Sequence, residues 1–400
     1  MRHSSLWNLY GFPLLLVAAS VLTVLAVLGR PGASTTDFLV FHQSGRQFLA
    51  GADPYLPFVL YRGPNLNPPW VVAIMAPLSR APVEVAVVVW WAIGFSCFVA
   101  SVSLIAKEIP RGQTIAIACA VLVTQAAYAN VRLGQVTFPL MLLMTAAWRA
   151  ERTDRPLVCG ALVGLAAAWK PFLLVFAPYL IWRRAWRALA AMAITIAVTI
   201  AVGFLAVGAP GYASWLRVLQ LVGWEGHPLN ASLRGTVTRA LTISTLLEQH
   251  TTPIVDAPAW RDGAWFAASL MVAVVTVLRI VVGHLFRGAT PLFRGAAPIF
   301  RGAAPPRHDV DAAWAALGLL ALLISPLGWV HYVPIVTGPI VATLVAGRPS
   351  AQRLGIAGWL LLCVPFAWLK TATFGPWLTL TVASAYGWGT LLLLAAVLLA

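Results

Sequence analysis

The chain has 400 residues, 60% hydrophobic and 10% charged, with a mean hydropathy of +0.84. A water-soluble domain carries about 25% charged residues, so too little polar surface is present to coat a soluble body, and long apolar blocks exclude intrinsic disorder. The composition predicts an all-α fold, a polytopic transmembrane helical bundle. Net charge +15 would suggest nucleic acid in a soluble chain, and the positions of the basic residues remove that reading.

The first apolar span covers residues 9–29 behind Arg2 and reads as an uncleaved anchor. A polar stretch at 30–69 follows. Further apolar blocks lie near 82–106, 113–130, 135–148, 157–169, 171–182, 187–208, 263–283, 312–326, 330–346, 354–369 and 376–399. Several are shorter than the roughly 20 residues of a full crossing. The pairs meeting at Gly134, Lys170 and Gly328 can each form one broken helix. The expectation is therefore 10–12 membrane helices in a single domain over 1–400.

With the N-terminus in the cytoplasm, 16 of the 27 Lys and Arg residues fall on the inner side, in short loops at helix ends. This is the positive-inside pattern, so no nucleic-acid partner is expected. Seven of the twelve acidic residues fall outside, together with the two long polar stretches, 30–69 and 209–262. Most of the possible chemistry thus faces away from the cytoplasm, and a cell-membrane location is expected.

In the first outer loop, Phe38, Phe41, Gly45, Phe48 and Leu49 share one helical face, and Gly51 and Pro54 stop the helix. Asp37 opens it. It has two readings, an N-cap or a general base held at the lipid–water boundary. Downstream, Asp53 precedes Pro54 as a turn former beside Tyr55.

Charges at membrane depth cost about 2.5–3.5 kcal/mol on insertion scales and mark candidate sites. Lys170 lies in Trp169-Lys170-Pro171, between two apolar halves, either as a snorkelling end group or as a functional cation. Arg132 near Gly134-Gln135, Asn230-Ala-Ser232-Leu-Arg234, Arg239, and Trp329-Val-His331 are expected on the same outer side. Lys170, Arg132, Arg234 and Arg239 together could hold a phosphate. On the inner side, Phe286-Arg-Gly-Ala-Thr-Pro-Leu repeats with a period of seven across 286–307. Gly and Pro in every copy exclude a coiled coil there, and the segment reads either as a basic linker able to touch anionic lipid or as a duplicated low-complexity insertion with no role. Asp309-Val-Asp311 is the one Asp-x-Asp, at the start of a span.

In order along the chain come Asp37-Phe38 with Gly51-Ala-Asp-Pro-Tyr55, Pro68-Pro69, Gly134-Gln135, Gly160 through Lys170-Pro171, Asn230-Ala-Ser232-Leu233, and Ser325-Pro326 through Trp329 and His331. This series resembles the C-type (GT-C) glycosyltransferases, in particular glycosyltransferase family 87. The resemblance implies a membrane enzyme moving a hexose, with mannose the expected sugar, from a polyprenyl-phosphate donor to a glycolipid or lipoglycan acceptor. It places the catalytic aspartate on Asp37, the lysine-proline on Lys170-Pro171 and the late histidine on His331. Gln135, Asn230, Asp53, Tyr55 and Trp329 are expected to line the substrate. The chain departs from the family pattern at Thr137, Val330 and Tyr332, which bears on the sugar and the acceptor.

A lipid-linked donor carries its own leaving group, so no nucleotide pocket, cofactor or divalent metal is expected. Two rivals stand beside this expectation. One is a transporter or lipid-carrier flippase built on the broken helices. The other is a nucleotide-sugar enzyme using Asp309 and Asp311 on the inner face.

Overall fold

The computed structural model describes residues 36–56, 63–110, 113–122, 124–243, 252–287, 307–371 and 375–400. The expected first span at 9–29 and nearly all of the heptapeptide repeat lie outside the described residues, as do parts of both outer loops. The described residues are helical, with no strand beyond one isolated bridge, Asn230 to Trp329. The chain is an all-α membrane protein.

Helix α1 (Thr36–Leu49) and the short α2 (Pro69–Met75) come from the polar stretch at 30–69 and its end. The expected blocks then appear as α3 (Val83–Ile105), α4 (Thr114–Leu122), α5 (Gln125–Leu133), α6 (Thr137–Arg152), α7 (Pro156–Trp169) and α8 (Phe176–Trp182). Helix α9 (Trp186–Gln220) is interrupted at Gly208, with Pro210 behind it. After α10 (Leu233–Leu241) come α11 (Arg261–Arg287), α12 (Arg307–Ile324), α13 (Thr337–Ala346), α14 (Pro349–Leu362), α15 (Phe366–Thr371), α16 (Pro376–Thr381) and α17 (Ala385–Leu399).

Among the described residues, three helices are long and apolar enough to cross a membrane: Val83–Ile105, Trp186–Gln220 and Pro258–Val281. Each turns large apolar side chains outward, such as Val88 and Phe95, Ile194 and Leu205, or Phe266 and Met271. Without a membrane those exposures would be unfavourable; in lipid they are the expected outer face. Helix α12 differs, being apolar and buried nearly all round, and packs against α6, α11, α13 and α17. It is the central rod of the bundle.

Polar and Pro/Gly punctuation breaks the shorter apolar blocks into paired helices, as at Lys170-Pro171, where a 3-10 turn (Pro171–Val175) separates α7 from α8. Helices α7 and α9 pack closely because Gly160 and Gly164 face backbone. A Cβ on Gly160 would lie 1.9 Å from the Ala188 carbonyl oxygen, the small-residue contact that lets membrane helices approach.

Candidate active site

Asp37 sits in the first turn of α1, one residue inside the helix that begins at Thr36. Its neighbour Phe38 is buried against Trp90. The loop between α5 and α6 reaches this turn because Gly134 adopts φ +71° and has no side chain. A Cβ there would come within 2.5 Å of the Phe38 Cβ. Trp90 Nε1 donates to the Gly134 carbonyl at 2.9 Å and fixes the loop. The next residue, Gln135, thereby donates its side-chain amide to the Asp37 carboxylate. Burial is the largest influence on Asp37 and pushes its pKa up to about 6, while Gln135 and then Lys170 pull it down. Asp37 keeps partial accessibility while lying deep among protein atoms.

The positive pole is Lys170, in the break after α7. Its Nζ donates to Asn67 Oδ1 at 3.1 Å and lies 5.4 Å from the centroid of the Tyr332 ring, within cation–π range. Tyr332 is buried, and its hydroxyl reaches Gln135 Oε1 at 3.5 Å. Asp37, Gln135, Tyr332, Lys170 and Asn67 thus form one continuous cluster with a carboxylate at one end and an ammonium at the other. Sequence reasoning placed Asp37, Gln135 and Lys170 here and missed the roles of Asn67 and Tyr332. For Asn67 the available signal was its position before two prolines entering an apolar block.

His331 stands beside the cluster on the 3-10 helix Val330–Val336. It is 2% exposed, and among the described residues neither ring nitrogen has a hydrogen-bond partner. Its ring stacks on Trp329 at 6.0 Å and meets Tyr332 edge-on at 4.5 Å. A buried imidazole with both nitrogens unpartnered is uncommon, and it retains its full donor and acceptor capacity. Trp329 is partly buried and touches His227 edge-on at 5.6 Å.

Five other expected site residues make contacts within the protein itself. Arg234 is an ion-pairing residue, held by Glu225 at 3.4 Å and Asp262 at 3.0 Å and lying over the Trp265 ring. Its charge is already matched. Arg239 is fully buried and donates to the Ser384 hydroxyl (3.0 Å) and to the His227 (3.0 Å) and Asn230 (3.2 Å) carbonyls. Burial lowers its pKa to about 9. It is a clamp joining the segment around 227–230 to the α16–α17 turn.

Asn230, also fully buried, donates to the Glu225 and Pro326 carbonyls and accepts from the Ser232 and Gly328 amides. All four of its side-chain bonding positions are used, so it pins two loops together. Asp53 accepts from the Tyr55 amide and the Ser214 hydroxyl. Tyr55 is buried and donates to the Asn67 carbonyl at 2.9 Å. Both build the scaffold under Asn67.

Arg132, on α5, makes no ion pair among the described residues. Asp311, half of the Asp-x-Asp, accepts from Trp148 Nε1 at 2.8 Å and pairs with Arg152 at 3.0 Å. Those contacts give it a structural role in α12.

A model described as "Glycosyltransferase family 87" matches residues 65–300. The chain is also 26% identical over 251 residues to the polyprenol-phosphate-mannose-dependent alpha-(1-2)-phosphatidylinositol pentamannoside mannosyltransferase of Mycolicibacterium smegmatis. That alignment takes in 61% of this chain and 50% of the relative, so the chain spans about half the length of the curated protein it matches. No solved structure matches the chain.

Proposed function

The chain belongs to glycosyltransferase family 87, and from that premise we propose that it transfers a hexose, mannose, from a polyprenyl-phosphate donor to a glycolipid or lipoglycan acceptor. The transfer takes place on the outer face of the plasma membrane. One observation carries the proposal: a carboxylate and an ammonium stand at opposite ends of one buried polar cluster, Asp37 and Lys170, joined by Gln135, Tyr332 and Asn67. The activity for which the mycolicibacterial relative is named supports the choice of donor.

In this reading the acceptor hydroxyl gives its proton to Asp37 as its oxygen attacks the anomeric carbon. The bond from that carbon to the phosphate oxygen breaks on the opposite side, which inverts the anomeric centre. The polyprenyl phosphate leaves with the electron pair, facing Lys170. A placed base contributes about 10²–10⁴-fold, and burial helps by bringing the Asp37 pKa to about 6, closer to working pH. The fixed ammonium stabilises the charge that develops on the phosphate. The unpartnered nitrogens of His331 supply a hydrogen bond to the sugar or to the phosphate.

The test uses isolated membranes and radiolabelled polyprenyl-phosphate mannose, comparing wild type with Asp37→Asn at equal membrane insertion. Transfer by wild type and its loss in the variant are expected. Full transfer by Asp37→Asn would return that residue to a purely helix-starting role. Reporter fusions after Pro110 and Gly235 check the orientation, the first inside and the second outside.

A further inference from the structure

The Lys170 ammonium is held in an unusual way for a cation inside a bundle. Arg152 pairs with Asp311, and Arg234 with Glu225 and Asp262. Among the described residues, no carboxylate lies within ion-pair distance of Lys170. Its partners are neutral: the Asn67 side-chain oxygen and the face of the Tyr332 ring. An ammonium has three N–H donors, so this arrangement fixes its place without cancelling its charge.

Asn67 is itself tightly oriented. It is 2% exposed, and its backbone N–H and its Nδ2 both donate to Asn65 Oδ1 at 3.0 Å. A flipped Asn67 amide would set its NH2 against the ammonium and its oxygen against the Asn65 oxygen, and both contacts are repulsive. Two further ties bring the segment to Lys170. The Tyr55 hydroxyl holds the Asn67 carbonyl at 2.9 Å. Behind Pro68 and Pro69, Trp70 Nε1 donates to the Ala168 carbonyl, two residues before Lys170, at 3.1 Å.

We propose that Asn67, oriented by Asn65, is a positioning residue that holds the Lys170 ammonium through a neutral acceptor and so leaves its charge available to the phosphate of the lipid donor. This rests on the function proposed above, with Lys170 as the group that meets the phosphate. A carboxylate at position 67 would keep the hydrogen bond and neutralise the cation.

The experiment compares wild type, Asn67→Asp and Asn67→Ala, purified as full chains in micelles, using farnesyl phosphate as a short polyprenyl monophosphate probe. Thermal melting checks the fold, and the transfer assay gives the KM for donor and acceptor separately. Asn67→Asp is expected to fold and to weaken farnesyl phosphate binding about ten- to hundredfold, the worth of one charge-assisted hydrogen bond. Its donor KM should rise while its acceptor KM stays unchanged. Asn67→Ala, which loosens the ammonium without neutralising it, should weaken binding by a smaller factor, and it decides the matter if the aspartate variant fails to fold. A merely structural asparagine would leave the donor KM of every folded variant unmoved.

Wild-type affinity in the folded variants, with sugar transfer intact in wild type, overturns the role of Asn67 alone. A wild-type protein that neither transfers sugar nor binds farnesyl phosphate overturns the function and this role together.

Discussion

An Asp37→Asn substitution preserves the size of the side chain and an oxygen for the Gln135 amide, and removes only the charge. Burial outweighs Gln135 and Lys170 at this position and raises the carboxyl pKa from 3.8 to about 6. The folded protein therefore binds this proton more tightly than an unfolded chain does. The associated stability is fully present below pH 3.8 and is lost as the pH rises through about 6. At pH 8 the ionised group destabilises the fold by about 3 kcal/mol, from roughly two pH units at about 1.36 kcal/mol each. Asparagine removes that cost and also removes the proposed base. The variant should melt at a higher temperature than wild type at pH 8, with the gap closing toward pH 4, and should lose about 10²–10⁴-fold in transfer. Melting curves in micelles across that pH range, beside the membrane transfer assay, measure both. An Asp37→Asn protein that is no more stable than wild type at pH 8, or whose gap ignores pH, would refute the buried-carboxylate argument.

Gly134→Ala should destabilise by about 1–3 kcal/mol, because a positive φ and a clash with Phe38 coincide. It should cut transfer more than stability, since Gln135 moves off Asp37, as activity per folded protein will show. Arg239→Met strands buried carbonyls and should cost about 2–5 kcal/mol of stability. The donor KM of its folded fraction should match wild type. Asp311→Asn should lower the melting temperature by weakening the Arg152 pair, with turnover per folded molecule unchanged. A stable but inactive Asp311→Asn would revive a nucleotide-sugar enzyme on the inner face.

The apolar blocks were legible because the bilayer demands them. Val83–Ile105 and the part of Trp186–Gln220 before Gly208 emerged from composition, and the breaks at Gly134 and Lys170-Pro171 from backbone chemistry; the helical stretch after Gly208 lies where the sequence reads as a polar loop. Lys170 was legible as a charge placed where charge is costly, and Asp37 as the carboxylate that opens an amphipathic helix. The contacts of the arginines were not legible, because a basic residue in a sequence shows its sign and not its partner. Arg234 meets Glu225 and Asp262, and Arg239 meets two carbonyls of one loop and the Ser384 hydroxyl of a distant turn. Neither can be told from Lys170 by spacing. Asn67 and Tyr332 escaped for the converse reason, since neutral side chains carry no local mark when their role is to hold a charged one about 100 or more residues away in the chain.

Asn230 joins the 225–232 and 325–330 segments through four bonds of a single carboxamide, reinforced by the Ala231 amide on Gly328 and the Val330 amide on Leu229. Stitched together in this way, the two segments have lost the freedom to drift apart in length during divergence. An insertion in one would drag Trp329 and His331 out of register unless the other lengthened in step. New acceptor preferences would then have to arise by exchanging side chains on this fixed seam, or in stretches of the outer surface that it leaves unstitched.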